Sequence, residues 1–351
     1  MGFSETQLIS SIDEQLRRRL PSSWSLDVKR EPKAPHGRPD ALFRLRSPGG
    51  GETQLIVEAK ATVEPRNVMT MVTLLRRFTD ATPLVVAPFL SARAREELVA
   101  AGACYADSTG NMRLVLDDPA LFIETAGASS NPFPAQRAFP IRSLKGPAAA
   151  RVVRGLCDFA PPYGIRQLAT GVDASPASVS RVVDLLDREA LLTRGPRGEV
   201  STVDWPGVIR RWVQDYSFTE SNRVETFLEP RGLDALQRKL AKSGATYAVT
   251  GSLPAALVAP VASPRLAAVY VENTVRAADR LGLRTAEAGA NVLLVEPFDP
   301  VVFDRTWSRD GVLYCGLSQV TADLFSGPGR GPAEATELIR WMEANVDAWR
   351  T

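Results

Sequence analysis

Histidine and cysteine are scarce in this 351-residue sequence, which has one of the former and three of the latter. Cys104, Cys157 and Cys315 lie far apart and form no Cys-x-x-Cys pair. That argues against a zinc site or a disulfide framework and suits a reducing compartment. No stretch reaches the roughly 18 consecutive apolar residues that a membrane-crossing helix needs. The opening MGFSETQLISSIDEQLRRRL has no long apolar run and carries acids early, unlike a secretory signal. A cytoplasmic, nucleoid-associated protein with no membrane partner is therefore expected. Large net charge is also missing, because 42 Lys and Arg oppose 40 Asp and Glu for a formal +2. A general polycation attraction to nucleic acid is thus excluded, and any DNA contact must come from local placement of arginines.

What is present is ordinary globular composition, 44% hydrophobic and 23% charged. The chain is too long for one small core, so two or three domains are expected. Arginine far outnumbers lysine and alanine is abundant, the usage of a GC-rich bacterial genome. There is neither an internal repeat nor a low-complexity tract.

Leu8, Ile9, Ile12 and Leu16 recur at helical spacing and predict a helix from about Ser4 to Leu20. Ala41–Leu45 and Gln54–Glu58 read as strands joined by a glycine-rich hairpin turn at Ser47–Glu52. A helix near Asn67–Phe78, a strand at Pro83–Phe89, a helix at Ala92–Ala101 and a strand at Asn111–Leu116 complete a mixed α/β unit. Within it, Pro39-Asp40 opens the first strand and Glu58-Ala59-Lys60 ends the second. Glu58 and Lys60 are two apart on a strand and share one face. Two carboxylates can hold Mg²⁺ while the lysine acts beside a phosphodiester. Glu14 on the first helix offers a further carboxylate. The order of helix, hairpin and Glu-x-Lys resembles the PD-(D/E)xK nuclease superfamily over about Met1–Asp118. By that resemblance Asp40 and Glu58 are metal ligands and Lys60 is the catalytic lysine. An active nuclease, a nuclease-like scaffold without chemistry, and coincidence stay open. Tyr105-Ala106-Asp107-Ser108-Thr109-Gly110-Asn111 reads as a polar turn between a helix and a strand, and is similar to the Asp-x-x-Gly-Asn turn of restriction-endonuclease-like domains fused to winged helices. Asp107 or Asn111 either lines the same cleft or simply caps a turn. His36, in a Pro/Gly-rich loop, reads as a surface residue.

Residues 129–146 form a basic linker with Arg137, Arg142 and Lys145, either a solvated connection or a strap along phosphates. Helices then follow at Ala148–Phe159 and Tyr163–Ala169, with Gly171 permitting a tight exit. Ser175 is placed to cap a third helix whose first residue is Pro176. Val179, Val182, Val183 and Leu186 fall at i, i+3, i+4, i+7 and predict its buried stripe. That leaves Ala177, Ser178, Ser180, Arg181 and Asp184 outward, with Arg166 on the preceding helix. Two short strands flank a Gly195-Pro196-Arg197-Gly198 tip, placing Arg194 and Arg197 on a hairpin. The run IRQLATGVDASPASVSRVVDLLDREALLTR and its hairpin resemble the bacterial winged helix-turn-helix regulators over about sixty residues. The resemblance implies binding of double-stranded DNA, with Arg166, Ser175, Ala177, Ser178, Ser180, Arg181, Arg194 and Arg197 at the duplex. A winged helix used only for dimerisation or packing is the alternative, given Asp184, Asp187 and Glu189.

After a helix at Trp205–Tyr216, the strand through Tyr247–Thr250 runs into a Gly251-Ser252 turn. This is similar to the nucleotidyltransferase-like domain of AbiE-type antitoxins. The following strand offers only Glu272, so a non-catalytic scaffold is expected. Ser318–Leu324 reads as a helix and Arg330 as a turn residue or phosphate contact, while Trp307, Trp341 and Trp349 read as core or interface anchors.

The expected fold class is α/β multidomain. It comprises a restriction-endonuclease-like domain at 1–128, a linker at 129–146, a winged helix-turn-helix at 147–216 and a nucleotidyltransferase-like, antitoxin-like α/β domain at 217–351. The expected function is sequence-specific DNA binding in transcription regulation, as a symmetric homodimer on a palindromic site and with no cofactor needed for binding. The rival is a Mg²⁺-dependent endonuclease delivered by the winged helix. A protein-interaction module follows from the antitoxin resemblance alone.

Overall fold

The computed structural model describes residues 4–31, 39–78, 80–133 and 143–351. His36, Arg137, Arg142 and half of the segment read as a linker, residues 134–142, lie outside the described residues. The chain is a mixed α/β protein that divides into two compact units, Met1–Phe139 with Arg188–Ala190 and Pro140–Asp187 with Leu191–Thr351. Among the described residues no helix is long and apolar enough to cross a membrane.

The first unit runs α1 (Glu5–Arg19), β1 (Ser25–Arg30), β2 (Ala41–Arg46), β3 (Glu52–Ala59), α2 (Val68–Arg76), β4 (Thr82–Ala87), α3 (Ala92–Ala100), β5 (Cys104–Asp107), β6 (Met112–Leu116) and β7 (Leu121–Thr125). Its strands pair in sequence order in one seven-stranded sheet. β1, β2 and β3 are antiparallel neighbours, β3, β4 and β5 are parallel, and β6 and β7 return antiparallel. Two apolar layers explain the sandwich. Leu8, Ile9, Ile12 and Leu16 of α1 meet Phe43, Leu45, Leu55, Val57, Leu84 and Val86 on one face. Val68, Val72, Leu75 and Leu98 of α2 and α3 meet Ile56, Val85 and Ala87 on the other. β4 is buried on both faces, which is why its Pro83–Ala87 run is continuously apolar. Ser4 closes a capping box with Gln7 at the start of α1, fixing where that helix begins.

The second unit continues with α4 (Pro147–Asp158), α5 (Ile165–Gly171), α6 (Pro176–Arg188), β8 (Leu192–Arg194), β9 (Val200–Val203), α7 (Trp205–Trp212), α8 (Phe218–Ser221), β10 (Arg223–Leu228), α9 (Leu233–Ala241), β11 (Tyr247–Thr250), α10 (Ser252–Val258), β12 (Ala267–Val271), α11 (Thr274–Leu281), β13 (Arg284–Thr285), β14 (Val292–Glu296), β15 (Trp307–Arg309), β16 (Val312–Tyr314), α12 (Leu317–Phe325) and α13 (Gly331–Ala344). β8 and β9 form a hairpin, and Tyr163 bridges to Val200 as a short third rung. β10 to β16 make a second mixed sheet in the order β13-β10-β14-β12-β11-β16-β15.

One hydrophobic core of this unit joins α4 to α7 with α12 and α13, and a second lies among α9, α11 and the strands of the second sheet. Val152, Val153 and Leu156 of α4 and Val179, Val183 and Leu186 of α6 belong to the same cluster as Leu317, Val320, Leu338 and Met342 of α12 and α13. Segments read separately from sequence as 147–216 and 217–351 are thus packed around shared apolar residues. Arg154 fixes the junction. It is 2% exposed. Its Nε donates to Asp158 at 3.1 Å, Nη1 to the Val301 carbonyl at 3.1 Å and to Gln319 at 3.2 Å, and Nη2 to the Asp304 carbonyl at 3.1 Å. A buried guanidinium is tolerable only when charge and donors are this fully met.

Candidate functional site

Two of the places that the sequence singles out collect chemistry-bearing side chains among the described residues. The first is at the carboxyl end of β3. Because β2 runs antiparallel to β3 with Ala41 opposite Val57, the residue before β2 must lie beside the last residues of β3. Asp40 sits there, and its Oδ2 accepts the Ala59 backbone N–H at 2.7 Å. Val57 and Ala59 belong to the α1 layer and Ile56 to the opposite layer, so alternation puts Glu58 with Ile56, away from α1. Lys60 extends the parallel ladder by one rung, donating its N–H to Val86 at 2.9 Å. Its ammonium is ion-paired with Glu58 Oε1. Partial burial works against the Lys60 charge. The hydrogen bond and charge of Glu58 outweigh it, with Asp40 and Glu5 adding to them, and the lysine is held above its usual range. The fold therefore brings Asp40, Glu58 and Lys60 together.

Glu14 does not join them. It lies on the solvent side of α1, 69% exposed, paired with Arg18 at 3.3 Å. The helix acid whose field reaches Lys60 is Glu5 in the first turn, which the sequence reading passed over. Asp40 and Glu58 retain one carboxylate oxygen each outside these bonds, two hard donors of the kind Mg²⁺ accepts alongside water and phosphate. Among the described residues no group of three or more His, Cys, Asp or Glu is gathered to hold a metal.

Asp107 and Asn111 do not line this cleft. Both are buried, at 0% and 1% exposure. Asp107 accepts from Thr109 N and Oγ1 at 2.8 and 2.7 Å, from Asn111 N and Nδ2 at 3.1 and 2.8 Å, and from Leu90 N at 3.0 Å. Asn111 Oδ1 accepts from Arg95 and from Gly127 N, both at 2.9 Å. The two side chains knit β5, β6 and neighbouring loops together, which is a structural task.

The second place is α6 with the β8–β9 hairpin. Ser175 Oγ accepts the Ser178 N–H at 3.1 Å and lies 2.9 Å from Ser178 Oγ, capping a helix whose first residue is Pro176. Val179, Val182, Val183, Leu185 and Leu186 are buried, so the opposite side of the helix is left to solvent. Ser175, Ala177 and Arg181 are exposed, and Ser178 and Ser180 are half-buried. Arg181 lies back over the first turn, its Nε donating to the Ala177 carbonyl and its Nη2 to Ser178 Oγ, both at 3.2 Å. Arg166 on α5 and Arg197 at the hairpin tip are exposed. The tip is shaped by Gly198 at φ +80° and by Glu199, whose carboxylate accepts the Arg197 N–H at 3.0 Å.

Arg194 behaves differently. It is ion-paired with Asp184 of α6, with Asp187 at 3.9 Å, and so joins the hairpin to the helix instead of projecting outward. A residue the sequence reading missed, Arg151 of α4, orients the turn into α6. Its Nη1 donates to the Asp173 carbonyl at 2.8 Å and its Nε to Asp299 Oδ1 at 3.1 Å. Asp173 has φ +49°, a conformation that such bonds must hold in place.

The Ser252 hydroxyl of the Gly251-Ser252 turn is already used within the fold. Ser252 Oγ donates to Glu334, itself 3% exposed and paired with Arg330 at 2.7 Å. Arg330 also donates to the Ser263 carbonyl at 2.8 Å, which accounts for it as a turn residue.

Comparison with protein-family models, with curated proteins and with solved structures finds no match.

Proposed function

We propose that this chain binds double-stranded DNA through α6 and the β8–β9 hairpin, as a winged helix-turn-helix acting in transcription regulation. The observation that carries the reading is the exposed first turn of α6. Its outward residues are small or hydroxylated, the Ser178 backbone N–H is capped by Ser175, and Arg181 lies across it. A helix with such a start can approach the floor of a major groove, with Arg181 swinging from its own helix to a base edge. Arg166 and Arg197 flank it as phosphate contacts, and Arg194 keeps the hairpin at a set distance from the helix. Two copies on a palindromic site would present two such helices. Genomic fragments captured by the full chain should contain a common element that it protects in a footprint. Affinity should fall steeply with salt, and Arg181→Ala should weaken protection by roughly 5- to 150-fold while Lys60→Ala leaves it intact. Equal affinity of wild type and Arg181→Ala for the captured fragments would overturn the reading.

The convergence of Asp40, Glu58 and Lys60 supports a second reading, a Mg²⁺-dependent DNA endonuclease of the PD-(D/E)xK kind. Asp40 and Glu58 would hold Mg²⁺, which supplies Lewis acidity toward the phosphodiester. Lys60, held protonated by Glu58, suits charge stabilisation at the phosphate and not proton abstraction. Plasmid nicking in Mg²⁺ or Mn²⁺ that disappears in both Lys60→Ala and Glu58→Ala is expected. Nicking that survives both substitutions, or none by wild type, removes this reading.

A further inference from the structure

A cavity of about 370 Å³ opens within the Pro140–Thr351 unit, near the C-terminal end of α4. Three indoles from three places in the chain line it, Trp307 on β15, Trp341 on α13 and Trp349 beyond α13. Two of them are fixed with their polar atom already used. Trp307 Nε1 donates to the Cys315 carbonyl at 2.9 Å and Trp349 Nε1 to the Met342 carbonyl at 3.0 Å. Trp349 is also held edge-on against Trp205, with ring centroids 4.9 Å apart. What these rings offer a visitor is aromatic surface in a preset geometry.

The charges around the cavity decide what that visitor is. The Asp158 carboxylate is consumed by Arg154 and by the Ser318 hydroxyl. Asp347 is exposed, where water and salt screen it. Arg305 is half-buried, and no Asp or Glu is ion-paired with it among the described residues. Its Nη1 donates to Thr351 Oγ1 at 2.8 Å, its Nη2 to the Trp349 carbonyl at 3.3 Å, and its guanidinium stands 5.0 Å from the Phe159 ring centre. A guanidinium carries five N–H donors, so donors remain for a ligand. An organic cation would meet this charge head-on, whereas a carboxylate would neutralise it through paired hydrogen bonds.

We propose that this cavity binds a small planar aromatic carboxylate, its ring against the indoles and its carboxylate on Arg305. The volume is at the lower end for small-molecule sites and fits a one- or two-ring compound. The inference does not depend on the DNA-binding reading.

The test is calorimetric titration of the full chain with benzoate, indole-3-carboxylate and benzylammonium. One saturable site per chain is expected for at least one of the two carboxylates, with benzylammonium at least tenfold weaker. Arg305→Met should weaken the carboxylate at least tenfold. Because Arg305 also ties down Thr351 and Trp349, Trp341→Leu serves as a second variant that leaves those bonds in place. It should weaken the same ligand several-fold, and both variants are checked by thermal melting. No saturable heat with either carboxylate, equal or tighter binding of benzylammonium, or unchanged carboxylate affinity in folded Trp341→Leu would each overturn the proposal.

Discussion

Replacing Asp323 with asparagine should change how stability depends on pH, by an amount the surroundings of that carboxyl set. Asp323 lies on α12 and is 3% exposed. It accepts from Tyr216 Oη at 2.7 Å, Thr250 Oγ1 at 2.5 Å, Gln319 Nε2 at 2.8 Å and Tyr270 Oη at 3.1 Å. Burial penalises the charged form more than these donors favour it, and the pKa is raised from the ordinary 3.8 to about 6. A carboxyl raised in the folded state contributes stability that is complete below 3.8 and is lost as pH climbs through about 6. Six minus 3.8 is about two units, a full loss of roughly 3 kcal/mol at 1.36 kcal/mol per unit, of which roughly 2 kcal/mol falls between pH 4 and pH 7. The neighbouring Tyr216, Tyr270 and Cys315 are pushed upward by burial and remain neutral throughout this range. Asparagine cannot ionise and leaves one donor poorly met, which costs about 1–3 kcal/mol at every pH. The informative quantity is therefore the slope. Urea unfolding followed by tryptophan fluorescence is the assay, because Trp205, Trp212, Trp307, Trp341 and Trp349 all lie in this unit and only Trp24 outside it. The gap between wild type and Asp323→Asn should shrink by roughly 2 kcal/mol from pH 4 to pH 7. Parallel stability profiles would refute the assignment of a raised pKa to this site.

Arg154→Leu should destabilise the second unit by about 3–5 kcal/mol, because it strands the buried Asp158 carboxylate, and an unchanged urea midpoint would contradict this. Gly155→Ala should cost about 1–3 kcal/mol, since an added Cβ would overlap Val172 and stand 3.0 Å from Leu168 Cδ1. Thermal melting reads that loss, and a gain in melting temperature would show the contact to be slack. Asp107→Ala should cost the first unit about 3 kcal/mol or more by releasing the buried Leu90 N–H and the Asn111 amide, as measured by Trp24 fluorescence in urea. Arg181→Ala should lose about 1–3 kcal/mol of specific DNA binding with no change in melting temperature, a separation that titration of a captured site would reveal.

The periodic elements were legible in the sequence because one local rule governs each. Val179, Val182, Val183 and Leu186 announce a helix with one buried stripe, and Ser175-Pro176 marks its start. The Ala41–Leu45 and Gln54–Glu58 runs, joined by glycines, announce a hairpin, and the period of two puts Glu58 and Lys60 on one face. The edge strands were not legible. β1 reads Ser-Leu-Asp-Val-Lys-Arg and β7 Leu-Phe-Ile-Glu-Thr, and each is too short or too charged to stand out without a partner beside it. β5 hid inside what reads as a polar turn, since only the tertiary fold reveals that Asp107 is buried and fully hydrogen-bonded.

Sequence alone determined the elements whose cause is near in the chain: the caps, the stripes, the hairpins and the proximity of Asp40 to Glu58 and Lys60. The tertiary structure decided which faces of those elements meet, because that depends on volumes and charges brought together from more than a hundred residues away. Only there does Arg154 find Gln319 and the Val301 carbonyl, and only there are the charged Arg154 and Asp158 of α4 buried. Arg194 is turned inward by Asp184, 10 residues away on the preceding helix, once the hairpin folds back against α6, and Arg305 is set among three indoles. Periodicity records that a residue will be buried; the partner that buries it is fixed by packing, which no local pattern encodes.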